Sequence, residues 1–254
     1  MAVEIMKKVY RPSSLVGQVY ARPYGSAIAP MPIGNVLELS LEHTEDVQKQ
    51  DDMTALGGGT HAEKRRVTEV LVKMKLADLN VVNLARGVLG TAQGIEAGDK
   101  TDEPHTATLG GLLRLEHLQP TTVVVKKGAD SASATPVTAA GNFEVRPEGI
   151  YLLPAAAGIA DADKLWVNYS YGAYAAIEAL TTTAPELEFT FGGLNEADSG
   201  KPMVVDIWRA SQGVTKTMAL INKEFGALDV EGTVLMDSTK TGVGISRYYR
   251  ARMA

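Results

Sequence analysis

Apolar residues recur at every second position in short runs along this chain, and glycine or proline interrupts most runs within a few residues. Val36 to His43 alternates in this way, and so does Arg65 to Leu76 through Val67, Glu69, Leu71 and Lys73. Val204 to Arg209 reads as a strand, and Phe225 to Met236 alternates around Gly226 and Gly232. A two-residue period puts one set of side chains on a buried face and the other in water, which suits a strand and not an amphipathic helix. Residues 121–126, 165–171, 174–180, 186–191 and 244–252 continue the series, and 142–145 with 149–153 reads as a hairpin around Arg146-Pro147-Glu148. The expected fold is therefore mainly β, a sandwich or barrel of roughly eleven strands with long loops.

One segment breaks the period. Leu79, Val82, Asn83, Arg86 and Leu89 fall at helical spacing, Asp78 is placed to cap the start, and Gly90 follows the last apolar position. This predicts a single packed helix over residues 77–89. Residues 1–34 carry Pro12, Gly17, Pro23, Gly25, Pro30, Pro32 and Gly34, and are expected to form an extended N-terminal arm. Residues 35–254 then form one β domain. Two polar, glycine-bearing stretches, 44–63 and 91–111, read as long inserted loops, a length that in a compact domain points to function.

Composition removes several classes of function. Hydrophobic residues make up 45% of the 254 residues, enough for a substantial core. The formal net charge of −5 argues against an electrostatic nucleic-acid binder. Cysteine is absent, which excludes disulfides, thiolate nucleophiles and cysteine-ligated metals. No apolar run approaches the length of a membrane helix, and no secretory signal opens the chain.

A search for chemistry finds little. His43, His61, His105 and His117 include no pair with zinc-helix spacing, so neither a metal nor another cofactor is expected. Gly193 to Pro202 has the wrong glycine gap for a phosphate loop, carries two carboxylates, and has Pro202 where magnesium needs a hydroxyl. Asp51, Asp52, Asp99, Asp102 and Glu103 sit in polar stretches without an aromatic platform for sugar. Trp166, Tyr169, Tyr171, Tyr174, Tyr248 and Tyr249 lie at strand spacing and read as core or cross-strand pairs. An enzyme is not expected.

The layout of the last fifty residues resembles that of phage tail tube proteins of the long, non-contractile type. There Val204 to Arg209 and Phe225 to Met236 surround a short apolar segment, Met218-Ala219-Leu220-Ile221. The pair of strands joined by a long stretch over Val36 to Leu76, followed by the helix at Ala77 to Leu89, is similar to the same family. The resemblance implies a structural subunit that closes into hexameric rings, which stack into a hollow tube for DNA passage. Its implied partners are other copies of itself, the tape measure protein, the tail terminator and tail-tip or baseplate proteins, with no membrane. Its implied location is the virion tail, assembled in the host cytoplasm.

In that family the long connecting loop contacts the adjacent ring. The residues matching that role here are Asp46, Asp51, Asp52, Met53, His61, Lys64 and Arg65. Arg247, Arg250 and Arg252 form a basic strand that is a candidate subunit interface. Six copies would carry a summed charge of about −30, and an acidic lumen would let DNA slide without sticking. Two alternatives use the same β architecture: the tube of a contractile injection system, and a receptor- or carbohydrate-binding tail module.

Overall fold

A computed structural model describes residues 12–54, 56–223 and 225–254. The fold is mainly β, as its alternating runs require, with one α-helix among the described residues. The chain divides into two compact units, residues 1–91 with 177–254 and residues 92–176. The expectation of one domain over 35–254 is thus corrected: the second segment contains enough apolar strands to close a core of its own.

The first unit is built on an eight-stranded sheet. Its strands are β1 (Leu15–Pro23), β2 (Met31–Pro32), β3 (Val36–Asp52), β4 (Gly59–Leu76), β14 (Glu186–Asn195), β15 (Lys201–Gln212), β16 (Leu228–Val234) and β17 (Tyr249–Met253). Their order is β2-β1-β14-β15-β16-β4-β3, with β17 also paired to β15. Val19, Val70, Val72, Leu76, Phe189, Ile207, Leu228 and Val230 pack as its core. On β4 every second residue from Val70 to Leu76 is buried, the alternation that the sequence displays. The one helix, α1 (Val81–Gly87), is shorter than expected and starts later: Asn80, not Asp78, caps it by accepting from the Asn83 N–H. Asn83 is buried and its amide donates to the Ile33 carbonyl at 2.7 Å, which ties the helix to the chain entering β3.

The arm expected over 1–34 is overturned where it can be seen. Residues 1–11 lie outside the described residues. β1 pairs with β14 along its whole length, from Leu15 opposite Asn195 to Pro23 opposite Leu187, and buries Val19 and Ala21. Of the prolines that suggested an arm, Pro23 ends β1, Pro32 lies on the edge strand β2, and Pro12 and Pro30 lie outside the strands, all positions that need no ladder N–H. Gly17 allows the closest approach, since a Cβ there would lie 2.5 Å from the Gly193 Cα.

The chain leaves the first unit through β5 (Thr91–Ile95) and returns through β13 (Tyr174–Glu178), and these two strands pair. Between them lie β6 (Gly98–Thr106), β7 (Leu112–Arg114), β8 (Thr121–Lys127), β9 (Thr135–Val137), β10 (Phe143–Arg146), β11 (Gly149–Leu152) and β12 (Lys164–Tyr171). They form a three-stranded sheet, β10-β11-β7, and a four-stranded sheet, β6-β12-β8-β9. Val125, Ile150, Leu152, Leu165 and Val167 from both sheets are fully buried in one shared core, the arrangement of a small sandwich. Residues 91–111 are therefore largely strand rather than loop. Their glycines and carboxylates hid a ladder that depends on β12 as partner.

A polar network lies inside this sandwich. The Tyr169 hydroxyl donates to Glu103 at 2.6 Å and accepts the His117 backbone N–H at 3.2 Å. His105 Nε2 sits 2.9 Å from the other Glu103 oxygen, which also accepts the Glu116 N–H. Burial first, and the bond to Glu103 second, push the Tyr169 phenol well above its usual range.

Candidate assembly surfaces

The stretch expected to be a loop at 44–63 is instead the outer half of a long antiparallel hairpin. β3 and β4 pair from Val36 opposite Leu76 to Asp52 opposite Gly59, with register shifts at Val36/Glu38, Thr44/Glu45 and Gln50/Asp51. Alternation vanishes there for a physical reason: neither face is covered. Every residue of β3 from Glu42 to Asp51 is exposed, as is every residue of β4 from Gly59 to Glu69. With no core to select apolar side chains, the two-residue signal is lost.

From Val70, the last buried residue, to Gly59 the ribbon runs roughly 36 Å, at about 3.3 Å per residue. β16 stops pairing with β4 at Leu71, and no ladder partner flanks β3 on its other side, so among the described residues both edges of the ribbon are open. Its cohesion comes from cross-strand polar pairs. Lys49 and Glu63 lie 3.8 Å apart, and Arg65 bonds Glu63 and reaches Glu45 at 3.5 Å. Such exposed pairs contribute about 0–1 kcal/mol each, and a lone two-stranded ribbon is marginal in water.

The structure brings the candidate residues of this region together on the one ribbon, on different faces. Asp46 faces Arg66 and Lys64 faces Gln48, whereas Arg65 shares the opposite face with Val47 and Val67. His61 is the unmatched residue at the bulge between Gln50 and Asp51. Asp52 accepts from the Thr54 hydroxyl and N–H, in that order of effect, which lowers its pKa and closes the turn. Met53 is 88% exposed and Leu56 fully exposed at the tip, an apolar pair held out in water. Leu56 is the tip residue that reading the stretch as a polar loop passed over.

The basic strand behaves differently. Arg250 and Arg252 are not free for a neighbour in this chain, because both bond Asp206 of β15, at 3.4 and 2.8 Å. Asp206 is buried, and its role was hidden because a lone carboxylate in a strand carries no motif. Arg247 is exposed and uses its carbonyl to accept the Asp237 N–H.

The apolar segment expected to be wrapped by the C-terminal β unit is instead on the surface. Leu220 is 82% exposed, Ile221 96% and Phe225 106%. Phe225, with Leu37, Leu79, Met218 and Ala219, lines a groove of about 610 Å³, which Leu220 and Ile221 do not enter. Among the described residues no group of three or more His, Asp or Glu is placed to hold a metal ion, and no helix is long and apolar enough to cross a membrane. Those apolar surfaces and the open ribbon are exposed features of the first unit among the described residues.

The family described as Protein of unknown function UCP028589 matches the chain over residues 12–252. No curated protein matches it.

Proposed function

We propose, taking as premise that the chain belongs to this family of unknown function, that it is a self-assembling structural subunit of a phage-type tail tube. The observation that carries the reading is the β3–β4 ribbon. A two-stranded element with both faces and both edges in water lacks the burial that would offset the entropy of ordering it. A second copy of the chain supplies that burial if the ribbon docks on it. The exposed Met53 and Leu56 at its tip, and the exposed Leu220, Ile221 and Phe225 elsewhere on the same unit, are the apolar surface that docking would remove from water.

On this reading the large sheet forms the wall of a ring, the ribbon reaches the ring above or below, and DNA passes through the lumen without specific binding. The net charge of −5 per copy supports that last point, since phosphate contacts need clustered cations. The tape measure, terminator and tail-tip proteins would meet the tube at its bore and its ends.

The test is negative-stain electron microscopy with sedimentation velocity on the purified chain at high concentration. A variant in which Asp46 to Arg66 is replaced by an Asn-Gly turn between the ladder partners Glu45 and Val67 serves as comparison. Rings or tubes from the native chain, lost in the shortened one while both fold, support the reading. A native chain that stays monomeric at every concentration, including when seeded with tail-tip complexes, overturns it.

A further inference from the structure

The last nine residues form an arm tied at several points to the body of the first unit. The Ser246 carbonyl accepts the Trp208 indole N–H at 3.1 Å, and the Tyr248 carbonyl accepts the Trp208 backbone N–H at 3.0 Å. β17 then pairs with β15 from Ile207 opposite Tyr249 to Met203 opposite Met253. The Tyr249 hydroxyl lies 3.1 Å from His43 Nε2 on β3, and Arg250 and Arg252 grip Asp206. Tyr248 and Tyr249 pack against the main core. The arm's seat therefore has to be filled, since an empty one would expose that core, a strand edge and a buried carboxylate.

The connection to the arm is a turn built for opening. Gly242 and Gly244 sit at φ 133° and 78°, conformations open to glycine and strained for other residues. Between and beside them Val243 is 107% exposed and Ile245 54% exposed. Nothing in the folded chain accounts for two apolar side chains held out in the hinge.

We infer that the arm is exchanged between copies: the Gly242–Gly244 turn opens, and Ser246–Ala254 of one copy takes the β15 seat of its neighbour. Every bond named above is remade with identical chemistry, so the exchange alters little besides the hinge, which is why swapped elements are a low-cost route to assembly. Opening also brings Val243 and Ile245 to the junction between copies, where they leave water. Each copy gives one arm and receives one, a head-to-tail contact that closes into a ring when the rotation allows. Arg250 and Arg252 then bind the Asp206 of the next copy. This inference rests on the tube reading and specifies how neighbours within a ring are joined.

The chain has no cysteine, so engineered thiols report cleanly. Val205 and Ala251 are register partners between β15 and β17. Two single variants, V205C and A251C, are mixed, assembled under oxidising conditions and run on a non-reducing gel. A bond between these two chains can form only across copies. A covalent pair, matched by loss of the monomer band when V205C/A251C is assembled as one chain, supports exchange. Assembly without the covalent pair, with the double variant closing its bond within one chain, overturns exchange and leaves the tube reading standing. A chain that never assembles overturns both. The register pair Met203 and Met253, tested as M203C with M253C, repeats the measurement if the first substitutions disturb folding.

Discussion

Replacing Tyr169 by Phe removes one oxygen from the interior of the second unit, and its consequences can be worked through. The residue is 2% exposed, so no water takes the place of the hydroxyl. Glu103 loses its 2.6 Å donor and the His117 N–H loses its acceptor. A hydrogen bond to a charged group contributes about 1.5–3 kcal/mol, so the variant should lose about 2 kcal/mol. At the urea sensitivity of a small domain, that is a fall of roughly 1–2 M in midpoint. The assay is built into the chain, because its two tryptophans are divided between the units: Trp166 on β12 and Trp208 on β15. Urea unfolding followed by fluorescence in W208F and W166F backgrounds reads each unit separately. Y169F should move the Trp166 transition and leave that of Trp208 in place. Equal movement of both would refute the division into independent units. A shift under about 0.5 kcal/mol would refute the argument that the buried network contributes to stability.

Other outcomes follow from the same geometry. The bond from Arg209 lowers the Glu186 pKa, and that from Lys127 lowers the Asp163 pKa. A depressed carboxylate contributes stability above its unfolded value that is lost as pH falls through the folded one, so both units should weaken below about pH 4, measured by thermal melts across the acid range. M53D with L56D should abolish assembly in sedimentation while the circular dichroism spectrum stays native, because the tip buries nothing within its own chain. D206A removes the shared partner of two half-exposed arginines, at a cost of about 1–2 kcal/mol. It should speed tryptic cleavage at Arg247 and Arg250, and an unchanged cleavage rate would show that the carboxylate does not hold the arm.

What could be read in the sequence was what burial had written there. β12 and the inner half of β4 lie against a core and alternate accordingly, while β8 is legible in its β-branched run and β11 in the turn at Arg146-Pro147-Glu148. The helix was legible through its spacing, although its cap is Asn80 and not the expected Asp78. The outer ribbon left no such record, because strand pairing there is made by backbone groups that every residue carries. β1 was obscured by the glycines and prolines around it, and its partners on β14 lie far along the chain, from Leu15 opposite Asn195 to Pro23 opposite Leu187, beyond any local pattern. The division into two units was likewise invisible, since both are written in the same two-residue period. For the candidate surfaces, the sequence located the ribbon residues and the arginines. It did not reveal that the arginines are already engaged by Asp206.

Because β5 and β13 are partners in one ladder, the chain departs and comes back at points about 4.8 Å apart, the spacing of neighbouring strands. To the large sheet, everything from Gly98 to Gly172 is equivalent to a tight loop. Such a junction works as a socket: a longer, shorter or wholly foreign module could be spliced across it without altering the register on either side. Lineages carrying this chain would then be free to vary what they carry at that position while keeping the sheet itself unchanged.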